Sequence, residues 1–240
     1  MQLSRSSQTK RATRYGAAIA IATGVGVWLA RGRLADWLTD SLFRRPHGRV
    51  ARWFYLDAKP HQEAFRETLA ALALGPEDRL LEVGCGGGIF LEWALTTGCT
   101  ARAIDHSAEM LAMAARRNAA AITAGRLELH DADAGDLPFA DGEFTAAATT
   151  NAFFFFDAPQ AMLAEVYRTL APGGRIAIHT AATAPPPVAR RMHLYRDDEL
   201  LRMLEQAGYD HIALRRTGTS EQMQLVTARK PTGDISLASR

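Results

Sequence analysis

Short apolar segments alternate with amphipathic segments along the chain from Arg79 onward. The apolar segments have the length of strands, and the segments between the earlier ones repeat their apolar residues at helical spacing. This alternation is typical of a parallel sheet covered by helices on both faces. We predict seven strands, over Arg79–Val83, Thr100–Ile104, Leu127–His130, Phe144–Thr150, Arg175–His179, Tyr209–Arg215 and Met223–Ala228.

Capping residues and stop signals place the predicted helices. Ser107 is a suitable N-cap for a helix that runs to about Ala120, and Asp197 for another that runs to about Ala207. A third helix ends before Pro172-Gly173-Gly174, which cannot continue it. Its apolar stripe consists of Leu163, Val166, Tyr167 and Leu170.

The first predicted strand runs from Leu80 directly into a glycine-rich turn with Gly84, Gly86 and Gly88. Glycine lets a backbone turn sharply and approach a ligand where a Cβ atom would collide. We therefore expect a nucleotide-like cofactor at this turn. No Lys-Ser/Thr pair follows, so the turn is not a Walker loop, and Ile89 replaces the last Gly or Ala of a dinucleotide-binding loop.

Composition indicates one globular domain with extensions. The chain has 240 residues, of which 48% are hydrophobic and 22% charged, which excludes disordered and fibrous classes. Its cysteines, Cys85 and Cys99, are too few for a disulfide scaffold or a CxxC zinc site, and we expect no metal. We predict a domain over residues 53–232, an N-terminal extension over 1–52 and a flexible tail over 233–240.

Charge is unevenly distributed along the chain. Residues 1–52 hold ten Lys and Arg against two Asp, so this arm carries +8 and the remainder −6, for the total of +2. An acidic main domain argues against nucleic acid as a partner. Any interaction with a polyanion or an anionic lipid is therefore expected at the arm.

The N-terminal arm contains an apolar run from Gly16 to Ala30, followed by an amphipathic segment from Leu34 to Phe43. As a helix, the run would span roughly 22 Å of a hydrocarbon core about 30 Å thick. Two alternatives stay open. The arm packs against the main domain, or it attaches the protein to the cytoplasmic face of a membrane through residues 15–45. A cytoplasmic location is expected in both cases.

Four motifs in order resemble those of a known family. They are an ExGxGxG motif from Glu82 to Gly88, Asp105 after the second strand, the stretch His130–Phe139, which is similar to GDAxxLPF, and Leu170–Arg175, which is similar to LKPGG. This set resembles the class I S-adenosylmethionine-dependent methyltransferases, particularly the branch that contains the ubiquinone/menaquinone C-methyltransferases. The resemblance covers residues from about 75 to 180. It implies a Rossmann-like, seven-stranded, mostly parallel sheet flanked by helices.

The spacing of two of these motifs has a physical reason. From Gly84 to Asp105 there are 21 positions, close to the ~20 at which a helix and a strand bring a carboxylate beside a ribose bound at the glycine turn. Asp105 would accept hydrogen bonds from both ribose hydroxyls. The resemblance implies S-adenosyl-L-methionine as cofactor and S-adenosyl-L-homocysteine as product. Its implied contacts are Glu82, Gly84, Cys85, Gly86, Gly88, Asp105, His106, Met110, Asp133, Ala134 and Asn151.

Individual roles within this set follow from the family pattern. Glu82 would serve the methionine end, and Asp133 would accept from the exocyclic amine of adenine. Asp131 is the competing residue for that second role. Where the family often has Asp on the fourth strand, this chain has Thr145, a departure expected to affect capping alone.

An aromatic run, Phe153 to Phe156, follows the fourth strand, where the family forms the wall between cofactor and acceptor. We expect Phe153 or Phe156 to face the methyl donor, while the alternative is that all four rings are core. An apolar wall suits an apolar or lipid-like small-molecule acceptor. Tyr55 and His193 are further candidates for contact with this substrate.

A general base is needed if the acceptor is a hydroxyl or an acidic carbon. His179, at the carboxyl end of the fifth strand, is the first candidate, followed by His193 and Tyr195.

The sequence thus predicts a methyltransferase that acts by in-line displacement. One alternative is a protein that binds S-adenosylmethionine without catalysis. A second is an NAD(P)-dependent oxidoreductase, because Tyr55 and Lys59 have YxxxK spacing, although they precede the glycine turn instead of following it.

Overall fold

The structure of the protein, a computed structural model, describes residues 61–183, 192–218 and 222–233. Within these ranges, the strands are β1 (Arg79–Val83), β2 (Thr100–Asp105), β3 (Leu127–Asp131), β4 (Phe144–Thr150), β5 (Leu170–Ala181), β6 (Asp210–Thr217) and β7 (Met223–Arg229). The helices are α1 (Gln62–Leu72), α2 (Ile89–Ala94), α3 (Ala108–Arg117), α4 (Ala119–Thr123), α5 (Pro159–Thr169) and α6 (Asp197–Gln206). Two short 3-10 helices cover Leu95–Thr97 and Phe153–Phe155.

The strands form one sheet in the order β3-β2-β1-β4-β5-β7-β6. Strands β1 to β5 pair in parallel, whereas β7 pairs antiparallel with both β5 and β6. The prediction of a seven-stranded, mostly parallel sheet flanked by helices is therefore confirmed. Because β1 and β4 lie at the centre, their carboxyl ends meet at the point where the strand order reverses, which is where such sheets bind ligands.

Apolar residues on both faces of the central strands explain the layered packing. In β1 the four residues after Arg79 are buried, so this strand is covered from both sides. One core cluster packs Leu163 and Val166 of α5 against one face of the sheet. The other packs Phe90 and Leu91 of α2 against the opposite face. The sheet is thereby held between two helical layers.

Some boundaries differ from the predicted ones. The helix predicted to run from Ser107 to Ala120 breaks at Asn118, whose side-chain amide donates to the carbonyls of Gly88 at 3.0 Å and Ala114 at 3.1 Å. Ser107 caps α3 as expected, and its hydroxyl accepts from the Met110 backbone N–H. A tertiary contact with the glycine turn therefore ends the helix early.

Strand β5 and helix α6 also begin differently from the prediction. Strand β5 begins at Leu170 instead of Arg175, because Phe144 pairs with Leu170 before a register shift in the β4–β5 ladder. Asp197 is the first residue of α6 instead of its N-cap, since its carboxylate accepts from Gln224 and Arg216. In both places a contact with another strand outweighs the turn or capping residues of the local sequence.

Several predicted features lie outside the described residues. They are the N-terminal extension of residues 1–52, the candidate substrate residue Tyr55, Lys59 and residues 234–240 of the predicted tail. Among the helices that the structure describes, none combines the length and the apolar character of a membrane span.

Charged residues tie together the amino ends of the central strands. Arg175 donates to both carboxylate oxygens of Asp78, at 2.9 and 2.8 Å, and to the carbonyl of Leu72. The Thr145 hydroxyl donates to Asp78 at 2.6 Å, which corrects the expectation that Thr145 affects capping alone. The Arg175 guanidinium is the main cause that holds the pKa of Asp78 well below its usual range.

Replacement of Asp78 by Asn is expected to lower the free energy of unfolding at pH 7 by about 1–3 kcal/mol, because partly buried hydrogen bonds to a charged group are lost. The lowered pKa makes the carboxylate stabilising above its unfolded pKa of about 4, and this advantage disappears as the pH falls further. Urea unfolding between pH 7 and pH 3 should show a constant difference down to about pH 5 and a smaller one below about pH 4. The exposed variant Asp136→Asn should match wild type throughout.

Candidate functional site

The carboxyl ends of β1, β2, β4 and β5 open into a cavity of about 630 Å³. Helix α1 and the segment after β4 form further parts of its wall. The cavity lies at the edge of the sheet opposite to the Asp78–Arg175 network. It brings together most of the residues that the motifs predicted, and its geometry can be built from the glycine turn outward.

The glycine turn is folded back on the end of β2. The backbone N–H groups of Gly84 and Cys85 both donate to the carbonyl of Ile104, at 2.9 and 3.0 Å. Gly84, Gly86 and Gly88 have φ values of 79°, 50° and 75°, in the left-handed region that favours glycine. The turn from Gly84 to Gly87 lines the cavity.

The structure corrects the expected role of Gly88. A Cβ atom at Gly88 would lie 2.8 Å from the Ala114 Cβ of α3, and Gly88 is absent from the cavity lining. A Cβ atom at Gly84 would lie 2.7 Å from the Ala152 Cβ. These two glycines are therefore required by packing within the protein and by their φ values, in addition to any ligand.

Asp105 is held in place by backbone donors. The Gly86 N–H donates to one carboxylate oxygen at 2.8 Å, and the Ser107 N–H donates to the other at 2.9 Å. Burial raises the pKa of Asp105 despite these two hydrogen bonds. Each carboxylate oxygen can accept more than one hydrogen bond, so Asp105 keeps acceptor capacity at the cavity.

Glu82 is a buried carboxylate with an unsatisfied atom. The residue is 2% exposed and lines the cavity, and its Oε2 atom has no hydrogen-bond partner within the described ranges. Burial raises the pKa of Glu82 well above its ordinary value, and the charge of Asp105 raises it further. An unpaired buried acceptor is costly, so this arrangement fits a ligand that brings a cationic or hydrogen-bond-donating group.

The loop after β3 distinguishes the two candidate aspartates. Asp133, Ala134 and Gly135 line the cavity, and Asp133 accepts from the Gly135 N–H at 2.7 Å. Both aspartates are exposed, but Asp131, at the end of β3, does not line the cavity. The structure thus brings Asp133 and Ala134 to the site with His106 and Met110, and leaves Asp131 outside it.

Asn151 follows β4 in a strained backbone conformation. Its φ is 57°, a value that Asn tolerates better than most residues, and its N–H donates to the carbonyl of His179 at 2.8 Å. The side-chain amide nitrogen lies 2.8 Å from Nδ1 of His61, and Oδ1 is buried with no partner in the described part of the chain. The cavity lining therefore contains a second unsatisfied acceptor.

The aromatic run divides between cavity and core. Phe154, Phe155 and Phe156 line the cavity. Phe153 is fully buried and packs against Phe156 and Tyr195, with ring centroids 6.0 and 5.1 Å away. The expectation of a cavity position for Phe153 is therefore corrected, because the 3-10 turn at Phe153–Phe155 rotates its ring into the core.

Of the candidate bases, one lines the cavity and two do not. His179 is 2% exposed and lines the cavity, and burial lowers its pKa. His193 is exposed, stacks on Tyr195 and is absent from the cavity lining, which corrects its assignment as a substrate residue. Tyr195 is buried away from the cavity, and burial raises its pKa to about 12.

Neither cysteine chemistry nor a metal centre emerges from this part of the chain. Burial raises the pKa of Cys85 well above its ordinary value, so its thiol is a poor nucleophile. No group of three or more His, Cys, Asp and Glu residues suited to a metal ion occurs in the ranges that the structure describes.

Sequence reasoning missed several residues of the cavity wall, namely Phe65, Glu67, Met192, Thr217 and Met223. Their elements are far apart along the chain, so no local motif joins them. The apolar stripe of α1 indicates that this helix packs on the sheet. The stripe does not indicate which polar residue of the helix faces the cavity.

Comparison with known proteins gives the family context of this geometry. Residues 81–178 match the family described as "Methyltransferase domain". The chain is 36% identical over 124 residues to demethylmenaquinone methyltransferase of Clavibacter sepedonicus, covering 52% of this chain and 49% of that protein. It is 35% identical over 136 residues to the ubiquinone/menaquinone biosynthesis C-methyltransferase UbiE of Geotalea daltonii, covering 54% and 56%. The chain spans about half the length of these curated relatives.

A solved structure gives the same fold. The (4+2)-cyclase SpnF matches with a TM-score of 0.63 at 20% identity, over 71% of this chain and 81% of that one. At this identity the likeness establishes the fold alone. The predicted resemblance to class I methyltransferases is confirmed by the family match and by the two relatives.

Replacement of Glu82 by Gln is expected to stabilise the ligand-free protein at pH 7. A buried carboxylate whose pKa is raised lowers the free energy of unfolding as the pH rises above about 4.3, its pKa in the unfolded chain. Each pH unit by which the pKa is raised costs at most about 1.4 kcal/mol. We expect a gain of at least about 1 kcal/mol in the free energy of unfolding at pH 7, which shrinks below about pH 4. Urea unfolding measures it.

The matched control is Glu205→Gln, which changes an exposed carboxylate of α6 and should leave the free energy of unfolding unchanged. Equal stability of Glu82→Gln and wild type at pH 7 would show that Glu82 carries no burial penalty.

Proposed function

We propose that this chain, whose residues 81–178 match the family described as "Methyltransferase domain", transfers a methyl group from S-adenosyl-L-methionine to a small, apolar or lipid-like acceptor. The observation that carries the proposal is the pair of carboxylates at the carboxyl edge of the sheet. Asp105 is oriented by the glycine turn, and Glu82 is buried beside it with an unpaired oxygen.

The residues present fit the ammonium, ribose and adenine groups of this cofactor. The unpaired Glu82 oxygen would accept from the ammonium group of the methionine moiety, and Asp105 would accept from the ribose hydroxyls. Asp133 would accept from the exocyclic amine of adenine, beside Ala134. His106 and Met110 line the same cavity and would flank the adenosine. The sulfonium group supplies an activated methyl group when the cofactor is bound.

The chain's own residues contribute by aligning the reactants and by excluding water from the reacting atoms. Alignment of two reactants at about 3 Å can supply on the order of 7–11 kcal/mol of the barrier. Phe155 and Phe156 would seat an acceptor and exclude water from the reacting atoms. Charge is dispersed in the transition state of a sulfonium methyl transfer, so a dry wall favours the reaction.

Two observations support an apolar acceptor. The cavity wall contains Phe154, Phe155, Phe156, Met192 and Met223 beside its polar groups. The relatives are named for demethylmenaquinone and for ubiquinone/menaquinone biosynthesis. A quinone-like small molecule is therefore the acceptor class that we favour.

One alternative function is supported by a specific observation. The cyclase SpnF shares this fold and is named for a different reaction, a (4+2) cyclisation, so the fold by itself does not establish methyl transfer. Binding of S-adenosyl-L-methionine without transfer is the corresponding alternative for this chain, and the second experiment below separates the two.

Isothermal titration calorimetry tests the cofactor. Wild type is expected to bind S-adenosyl-L-homocysteine at one site and NAD not at all. Asp105→Asn and Asp133→Asn should each weaken binding about tenfold to a hundredfold, the cost of a lost hydrogen bond to a charged group, about 1.5–3 kcal/mol.

Asp131→Asn is the matched control, because Asp131 is two residues from Asp133 and outside the cavity lining. Its affinity should equal that of wild type. Binding of NAD, or equal affinities for Asp133→Asn and Asp131→Asn, would contradict the assignment.

Methyl-labelled S-adenosyl-L-methionine, incubated with the protein and a bacterial lipid extract, tests transfer. With cofactor below its dissociation constant, label is expected in the organic phase with wild type and tenfold to a hundredfold more slowly with Asp105→Asn. Cofactor binding without labelled lipid product would favour the binding-only alternative.

The same proposal extends to the arm, whose +8 charge favours delivery of the acceptor from an anionic membrane. The full chain is expected to sediment with anionic phospholipid vesicles, and a variant without residues 1–33 to remain in solution.

A further inference from the structure

A polar cluster connects three elements at the cavity wall beyond the predicted cofactor contacts. His179 of β5 places its Nε2 atom 3.2 Å from Oε2 of Glu67 in α1 and 3.1 Å from Oγ1 of Thr217 in β6. Arg215 of β6 donates to the other carboxylate oxygen of Glu67 at 3.1 Å. Glu67, His179 and Thr217 all line the cavity.

The partners of Nε2 determine which ring nitrogen carries the proton. An ionised carboxylate can only accept hydrogen bonds. The Thr217 hydroxyl can donate or accept, whereas Glu67 Oε2 can only accept from Nε2. Nε2 therefore carries the hydrogen. Burial acts to raise the pKa of Glu67, but its polar neighbours Thr217, Arg215 and His179 lower it below its ordinary value, so Glu67 stays ionised near neutral pH.

The other ring nitrogen is left with an unused lone pair. Nδ1 of His179 is buried and has no hydrogen-bond partner among the residues that the structure describes. Burial is the main cause that lowers the pKa of His179, and nearby Arg215 and His61 lower it further against the opposing effect of Glu67. The imidazole is thus neutral at pH 7, with Nδ1 as an acceptor.

We infer that Glu67 is a positioning residue that fixes His179 in the Nε2–H tautomer, so that Nδ1 accepts the proton of a hydroxyl-bearing acceptor during methyl transfer. The inference rests on the proposed function and deepens it by naming the acceptor class, an apolar molecule with an acidic hydroxyl, which among quinone-like molecules is the reduced quinol form. Asn151 Oδ1, the unpaired acceptor of the same cavity, is consistent with a ligand that donates hydrogen bonds.

The proposed step balances as follows. The acceptor's O–H bond breaks and its proton passes to Nδ1, which turns His179 into an imidazolium ion opposite the Glu67 carboxylate. The oxygen forms its new bond to the methyl carbon. The electron pair of the broken C–S bond stays on sulfur, which yields the neutral thioether product.

Long-range ¹H–¹⁵N correlation spectra of the ¹⁵N-labelled full chain test the tautomer without cofactor. The ring signals of His179 are assigned by their loss in His179→Gln. We expect an unprotonated Nδ1 and a protonated Nε2 in wild type at pH 7. In Glu67→Gln an amide replaces the carboxylate, so we expect the ring to lose its single tautomer and its ¹⁵N shifts to move towards intermediate values.

Glu205→Gln, a carboxylate-to-amide change at an exposed position of α6, should leave these signals unchanged. A wild-type ring protonated at Nδ1 would overturn the inference, whether or not Glu67→Gln folds. Ring shifts in Glu67→Gln identical to those of wild type would overturn the positioning role.

A second arm tests proton acceptance in the complex with S-adenosyl-L-homocysteine. Addition of 1-naphthol should shift the Nδ1 resonance of His179, whereas 1-methoxynaphthalene, which lacks the hydroxyl, should not. Equal responses, or none at saturation, would overturn the hydroxyl acceptor. Calorimetry reports cofactor binding separately, so failure of the proposed function is distinguishable from failure of the role inferred for Glu67 and His179.

Discussion

The burial of Glu82 and Asp105 side by side is the constraint on which this site depends. Parallel pairing of β1 and β2 brings both carboxylates to the same edge of the sheet, where burial raises the pKa of each. Backbone N–H groups satisfy Asp105 in part, whereas Glu82 keeps an unpaired oxygen. A folded chain can retain such a group when other contacts compensate for it, and a ligand with matching donors relieves the cost.

The two edges of the sheet differ in how far their buried polar groups are hydrogen-bonded. At the amino edge, Asp78 meets a guanidinium, a hydroxyl and a backbone N–H, and its polar atoms are satisfied. At the carboxyl edge, Glu82, Asn151 and His179 each keep an unpaired acceptor beside one cavity. Stability is therefore concentrated at one edge and binding capacity at the other. All three unpaired atoms are acceptors, so the cavity suits ligands rich in hydrogen-bond donors.

Particular elements show how far local patterns reach. The bounds of β1 and β4 match their predicted ranges, because an apolar run bounded by turn residues has few alternatives in an α/β chain. The helix after Ser107 stops at Asn118 because its side chain bonds to the glycine turn, 30 positions earlier. His193 and Phe153 have the right residue types for the site, yet the backbone directs one to the surface and the other into the core.

The sequence by itself determined the succession of the seven strands, the glycine turn, and the acidic residues at the ends of β1 and β2, because these depend on local propensity and on spacing within one β-α-β unit. Tertiary structure alone decided that Glu67 meets His179 across 112 positions, and that Thr217 joins them from β6. Such contacts depend on how α1 is rotated on the sheet and on the antiparallel placement of β7 and β6. No local pattern encodes either, since both result from packing the whole chain at once.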